Sequence, residues 1–140
     1  MFTKVAVLCA FNALCWAAAP LIGRLSNTSA MVMAVMINVG SLVAVLPIAF
    51  TQKYSEVGPK GLVIALVAGI INGIGVIAFS HLVHGSAQGH WEASKIIPIV
   101  FVLVPVGVVF GARLAFAEAI TVQKVLGIVL ACVAIWLLSK

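Results

Sequence analysis

Five stretches of this chain run without a formal charge: residues 5–23, 25–52, 61–91, 96–112 and 125–139. No other feature limits its fold so sharply. A helix rises about 1.5 Å per residue, so about 20 apolar residues cross a hydrocarbon core about 30 Å thick. A soluble domain carries roughly a quarter charged residues to cover its surface. Here 8% are charged, 64% are hydrophobic and the mean hydropathy is +1.30. Such a chain has no polar coat to show to water, and its natural solvent is lipid.

The runs predict transmembrane spans at 5–24, 30–50, 62–83, 95–115 and 120–139, within a single domain over 1–140. Barrel strands alternate apolar and polar residues over about ten positions. Segments such as IIPIVFVLVPVGVVFG (96–111) are apolar at both parities, which excludes that pattern. The expected fold class is therefore all-α, an integral membrane bundle of five transmembrane helices. Lys4, an apolar stretch and Ala17-Ala18-Ala19 have the layout of a signal peptide, but Pro20 would follow the cut directly. The run is read as a retained first span. Lys124 sits one turn inside the last span, where a lysine can snorkel to the headgroups.

Short polar segments join the spans. Leu25–Ser29 offers Ser and Asn as helix caps, 51–60 holds the turn pair Gly58-Pro59, and His84–Ser94 is the longest connection. Residues 115–120 make a tight turn. None is long enough for a soluble domain, so any activity must lie among the helices. An odd number of spans places the termini on opposite sides. One side receives Lys4, Lys53, Lys60, Arg113 and Lys124, and the other Arg24, Lys95 and Lys140. The positive-inside rule then favours a cytoplasmic N-terminus, by a lead of two. The net charge of +5 comes from single cations at span ends and does not indicate nucleic-acid binding.

An unpaired amide in hydrocarbon costs several kcal/mol, so Asn12, Asn38 and Asn72 need partners. Asn12, Trp16, Pro20 and Gly23 share one face of the first span at spacings of four, four and three. Asn38 pairs with Ser41 on the second span, and Asn72 with Gly75 and Phe79 on the third. These faces can line a polar cavity or serve as interhelical glue, where side-chain bonds average only about 0.6 kcal/mol. Pro98 and Pro105 each remove a backbone donor from the fourth span and are expected to make it irregular. Gly69/Gly73 and Gly107/Gly111 are GxxxG pairs suited to close helix packing, and Gly127 is a further small-residue surface.

His81 and His84 share a face, but no Cys or Asp stands near, so no metal site is expected. Cys9, Cys15 and Cys132 read as small core residues. Glu56, Glu92 and Glu118 are the only acids, all at span boundaries. That argues against chemistry by paired carboxylates and against an enzyme, and no cofactor is implied.

The segment VPVGVVFGARLAFAEAITVQKVLGIVLACVAIWLL (104–138) resembles the closing hairpin of the EamA domain of the drug/metabolite transporter superfamily. The matching residues are Pro105-Val106, Glu118, Thr121, Gln123, Gly127 and Leu137-Leu138. The opening ALCWAAAPLIGRL (13–25) is similar to the family's pattern through Trp16, Pro20 and Arg24. Ala117 and Ala17 stand where the pattern has glycine, and Arg113 is unusual in late span four. Five spans over 140 residues match one EamA repeat, so the resemblance covers the chain.

The resemblance implies a half-size membrane transporter of small metabolites or drug-like molecules in a bacterial inner membrane. It would work by alternating access as a homodimer, with two copies antiparallel as in the inverted repeats of full-length relatives. Its expected substrate pathway is Asn12, Trp16, Pro20, Asn38, Asn72, Pro98 and Pro105. Glu118 reads as a turn or cap residue, and the glutamate that small multidrug resistance proteins carry in their first span is missing. The alternative is a non-transporting assembly or regulatory subunit whose asparagines are glue.

Overall fold

The computed structural model describes residues 2–51, 58–138 and 140. Five helices account for nearly all of them: α1 (Phe2–Leu25), α2 (Ala30–Ala49), α3 (Pro59–Ala87), α4 (Ala93–Phe116) and α5 (Val122–Leu138). Among the described residues there is no strand. The helices α1 to α4 are long and apolar enough to cross a membrane. With 17 residues, α5 is shorter. At about 1.5 Å per residue it reaches about 25 Å, the lower end of what a span requires. Lys53 and Glu56, counted above at a span boundary, lie outside the described residues.

Capping chemistry sets the helix ends. The α1–α2 turn bends through Asn27, at φ 50°. Asparagine tolerates that left-handed conformation better than most residues. Ser26 Oγ donates to the Gly23 carbonyl at 2.7 Å, closing the end of α1. Ser29 is the N-cap of α2, its Oγ accepting from the Val32 N–H at 3.4 Å. Gly58-Pro59 does not form a free turn. Gly58 caps α3 and Pro59 occupies its first turn, where a missing N–H costs nothing.

The connection expected over His84–Ser94 is shorter than the sequence implied. Helix α3 continues through His84 and Gly85 to Ala87, and α4 begins at Ala93. Polar residues marked where the apolar surface stops, but the backbone stays helical until Gln88 caps it and Gly89 turns at φ 79°. His84 and Gln88 join side chains at 2.9 Å across that last turn.

The chain divides into two compact units, 1–88 and 89–140. In the first, α3 packs against both α1 and α2. Its tightest packing involves Pro20, Ala30, Met33, Ala34, Ser80, Val83 and Ser86, all buried. Gly23 allows the close approach of Met33, whose Sδ would stand 3.3 Å from a Cβ there. In the second unit α4 packs on α5. Most large apolar side chains of both units remain exposed, as they must where the surroundings are lipid.

The α4–α5 turn carries the main departure from relaxed backbone. Ala117 caps α4 at φ 54°, ψ 26°. Its N–H and that of Glu118 both reach the Ala112 carbonyl. Arg113 Nη1 donates to the Ala117 carbonyl at 3.4 Å, so this late-span cation serves the helix C-terminus. Lys124 Nζ reaches Glu118 Oε2 and the Ala119 carbonyl, each at 3.2 Å. Glu118 is thus a turn residue holding a snorkelling lysine.

Candidate functional site

Within the first unit, α1, α2 and α3 line a half-open cavity of about 270 Å³. Trp16 and Pro20 line it from α1, Asn38 and Ser41 from α2, and Asn72 and Phe79 from α3, with Cys15, Ala19, Ile37 and Val76 completing the wall. The spacing that groups them is helical. Trp16 and Pro20 are four apart, Asn38 and Ser41 three, and Asn72, Val76 and Phe79 four and three, so each set lies on one face. Asn38 and Asn72 both fall near the middle of their helices.

The hydrogen-bonding state of the three polar side chains differs. Asn38 Nδ2 donates to the Ala34 carbonyl at 2.9 Å, which fixes the rotamer and leaves Oδ1 as an acceptor. Ser41 Oγ donates to the Ile37 carbonyl at 2.9 Å and can only accept further bonds. The Asn72 side chain has no hydrogen-bond partner among the described residues. A side-chain amide offers two donors and an acceptor, and leaving it unsatisfied in an apolar setting is costly. Asn72 is exposed on the wall of this half-open cavity, where a bound molecule can satisfy it.

No residue lining the cavity carries a formal charge. The lining is aromatic and aliphatic with a few convergent polar atoms, the usual composition of a small-molecule site. Groups of three or more metal-ligating side chains are absent among the described residues.

Four of the residues expected on a substrate pathway, Trp16, Pro20, Asn38 and Asn72, meet here. Asn12 does not line the cavity; it lies one turn before Trp16 on α1 and is exposed. Pro98 and Pro105 lie in the second unit, inside an α4 that runs unbroken from Ala93 to Phe116. Cys15, read above as a core residue, is instead a lining residue and exposed. As Trp16's immediate neighbour, Cys15 lies about 100° round the helix from it, off the face that the four-residue spacing marked.

The glycines expected at close helix contacts stand differently. Beyond the local helix backbone, no heavy atom among the described residues lies within 4 Å of a Cβ built at Gly69, Gly73, Gly107, Gly111 or Gly127. A GxxxG pair marks a surface that a helix can approach, without specifying which helix does so. Gly73 lines an open groove of about 300 Å³ between α2 and α3, with Met31, Ala34, Val35, Asn38, Val39 and Ile77.

A family model described as the EamA-like transporter family matches residues 3–140. No curated protein and no solved structure matches the chain.

Proposed function

Since the chain belongs to the EamA-like transporter family, we propose that it carries small metabolites or drug-like molecules across a bacterial plasma membrane. The observation that supports this reading is the cavity of the first unit. It is bounded by three helices, lined by Trp16, Asn38 and Asn72, and placed level with the middle of α2 and α3. Transporters bind near the bilayer midplane and expose that site alternately to the two sides by rocking helix groups against each other. A half-size unit completes such a pathway with a second copy. The open small-residue surfaces at Gly107, Gly111 and Gly127 are available for that contact.

The two copies lie antiparallel in this reading. A five-helix unit has its termini on opposite faces, so an inverted pair requires opposite insertion. The lead of two cations on one side is small enough to allow it.

A metabolite-pool screen by thermal stability tests the reading, since a ligand that binds only the folded state raises apparent stability. A solute that stabilises the wild-type protein, and loses that effect with Asn72→Leu, supports a binding cavity. No stabilising solute, with Asn72→Leu as stable as wild type, is the result expected of a non-transporting assembly subunit.

A further inference from the structure

We infer that the cavity selects uncharged molecules that carry a hydrogen-bond donor and acceptor side by side, an amide-like edge, on an apolar ring. The inference rests on the reading of this cavity as a substrate site. Its first support is charge. The lining holds no formal charge. A second copy would add no fixed charge at this depth, because no Asp, Glu, Lys or Arg occurs in 5–23, 25–52, 61–91, 96–112 or 125–139, and the histidines of these runs stand at 81, 84 and 90, more than two helical turns beyond Asn72. An ion entering such a site gives up part of its hydration without gaining a counter-charge. Neutral molecules escape that penalty.

The second support is the polar complement. Asn72 presents donors and an acceptor with no partner among the described residues. On α2, Asn38 keeps Oδ1 free to accept once Nδ2 has bonded to the Ala34 carbonyl, and Ser41 can accept as well. The site therefore offers one group on α3 that both donates and accepts, and two on α2 that accept. A planar amide edge satisfies Asn72 in both roles, and a second N–H can go to Asn38 or Ser41. Trp16 and Phe79 supply flat apolar surface for a ring. A cavity of about 270 Å³ limits the occupant to a small molecule.

The test uses three probes of nearly one shape: benzamide, which is neutral, benzoate, an anion, and benzylammonium, a cation. Full-length protein carrying Trp91→Phe and Trp136→Phe leaves Trp16 as the sole tryptophan, and its fluorescence reports occupancy. Benzamide is expected to bind saturably and at least about tenfold more tightly than either ion, as a site built for paired hydrogen bonds rejects a mismatch strongly. Asn72→Leu is expected to weaken benzamide about tenfold, the effect of losing two modest net hydrogen bonds. Asn72→Asp should reverse the preference toward benzylammonium. Equal or tighter binding of either ion to the wild-type site, binding of none of the three, or undiminished benzamide binding in Asn72→Leu would overturn the inference. The ranking of the three probes is read with the cavity residues unaltered, and thermal unfolding of the Trp91→Phe/Trp136→Phe protein beside wild type checks that this background folds. Uptake of metabolites by a protein that prefers an ion overturns only this inference. Benzamide binding with no uptake of any metabolite overturns only the transport reading.

Discussion

Ala117→Gly should stabilise this protein, against the usual direction of a change to glycine. Ala117 sits at φ 54°, ψ 26°, in the left-handed region. There an L-residue's Cβ crowds its own carbonyl at a cost of roughly 1–2 kcal/mol. Glycine escapes that cost but adds freedom to the unfolded chain, which removes about 0.4–1 kcal/mol. The balance is a net gain of about 0.5–1 kcal/mol. The cap itself should survive, since the bonds to the Ala112 carbonyl come from backbone N–H groups and the Arg113 bond goes to a backbone carbonyl. For a chain of this size the midpoint should rise by roughly 1–4 °C. The assay is thermal unfolding in detergent, with Ala119→Gly as control. Ala119 lies two residues on and does not have a positive φ. There the same change should cost about 0.4–1 kcal/mol. A fall in midpoint for Ala117→Gly equal to that of the control would refute the strain argument.

Three further outcomes follow from the same structure. Ser29→Ala should lower stability by about 0.5 kcal/mol, the small end of cap losses, because the Val32 N–H to Ser29 Oγ bond is long at 3.4 Å; an unchanged unfolding midpoint would show that the cap contributes nothing. With Cys9 and Cys132 changed to alanine, Cys15 should react with a small charged thiol reagent, as it lines the cavity; protection of Cys15 while a cysteine placed at 55 reacts would mean the cavity is closed to water. Reporters fused to the C-terminus, one active only in the cytoplasm and one only outside, should both give signal if copies insert in opposite orientations; signal from the outer reporter alone would exclude the antiparallel homodimer.

The helices were legible from charge-free runs because hydrocarbon permits few other backbones. Their ends were less legible. The apolar run 62–83 marks the apolar length of α3, whereas Gly58-Pro59 and Gln88-Gly89 mark where its backbone starts and stops. Polar residues such as His84 remain helical between the two. Within the site, the three- and four-residue spacings of Trp16/Pro20, Asn38/Ser41 and Asn72/Phe79 identified faces. Spacing along one helix cannot say which faces of different helices meet, so the convergence of Asn38 with Asn72 emerged only in three dimensions, and Asn12 was grouped with Trp16 on periodicity alone. The glycines show the same gap, since Gly23, outside any GxxxG pair, has a close neighbour in Met33, whereas the GxxxG glycines 69, 73, 107 and 111 have none. The strain at Ala117 was half visible, as the alanine stood where the family pattern has glycine.

Uptake by sealed vesicles tests the central claim most directly. Purified protein reconstituted into liposomes is exposed to a metabolite extract, and the lumen is analysed by mass spectrometry beside protein-free vesicles and vesicles bearing Asn72→Leu. The account predicts at least one small solute that enters faster with wild-type protein than with either control. Identical lumenal contents in all three preparations, with the protein shown to be folded and inserted, would contradict it.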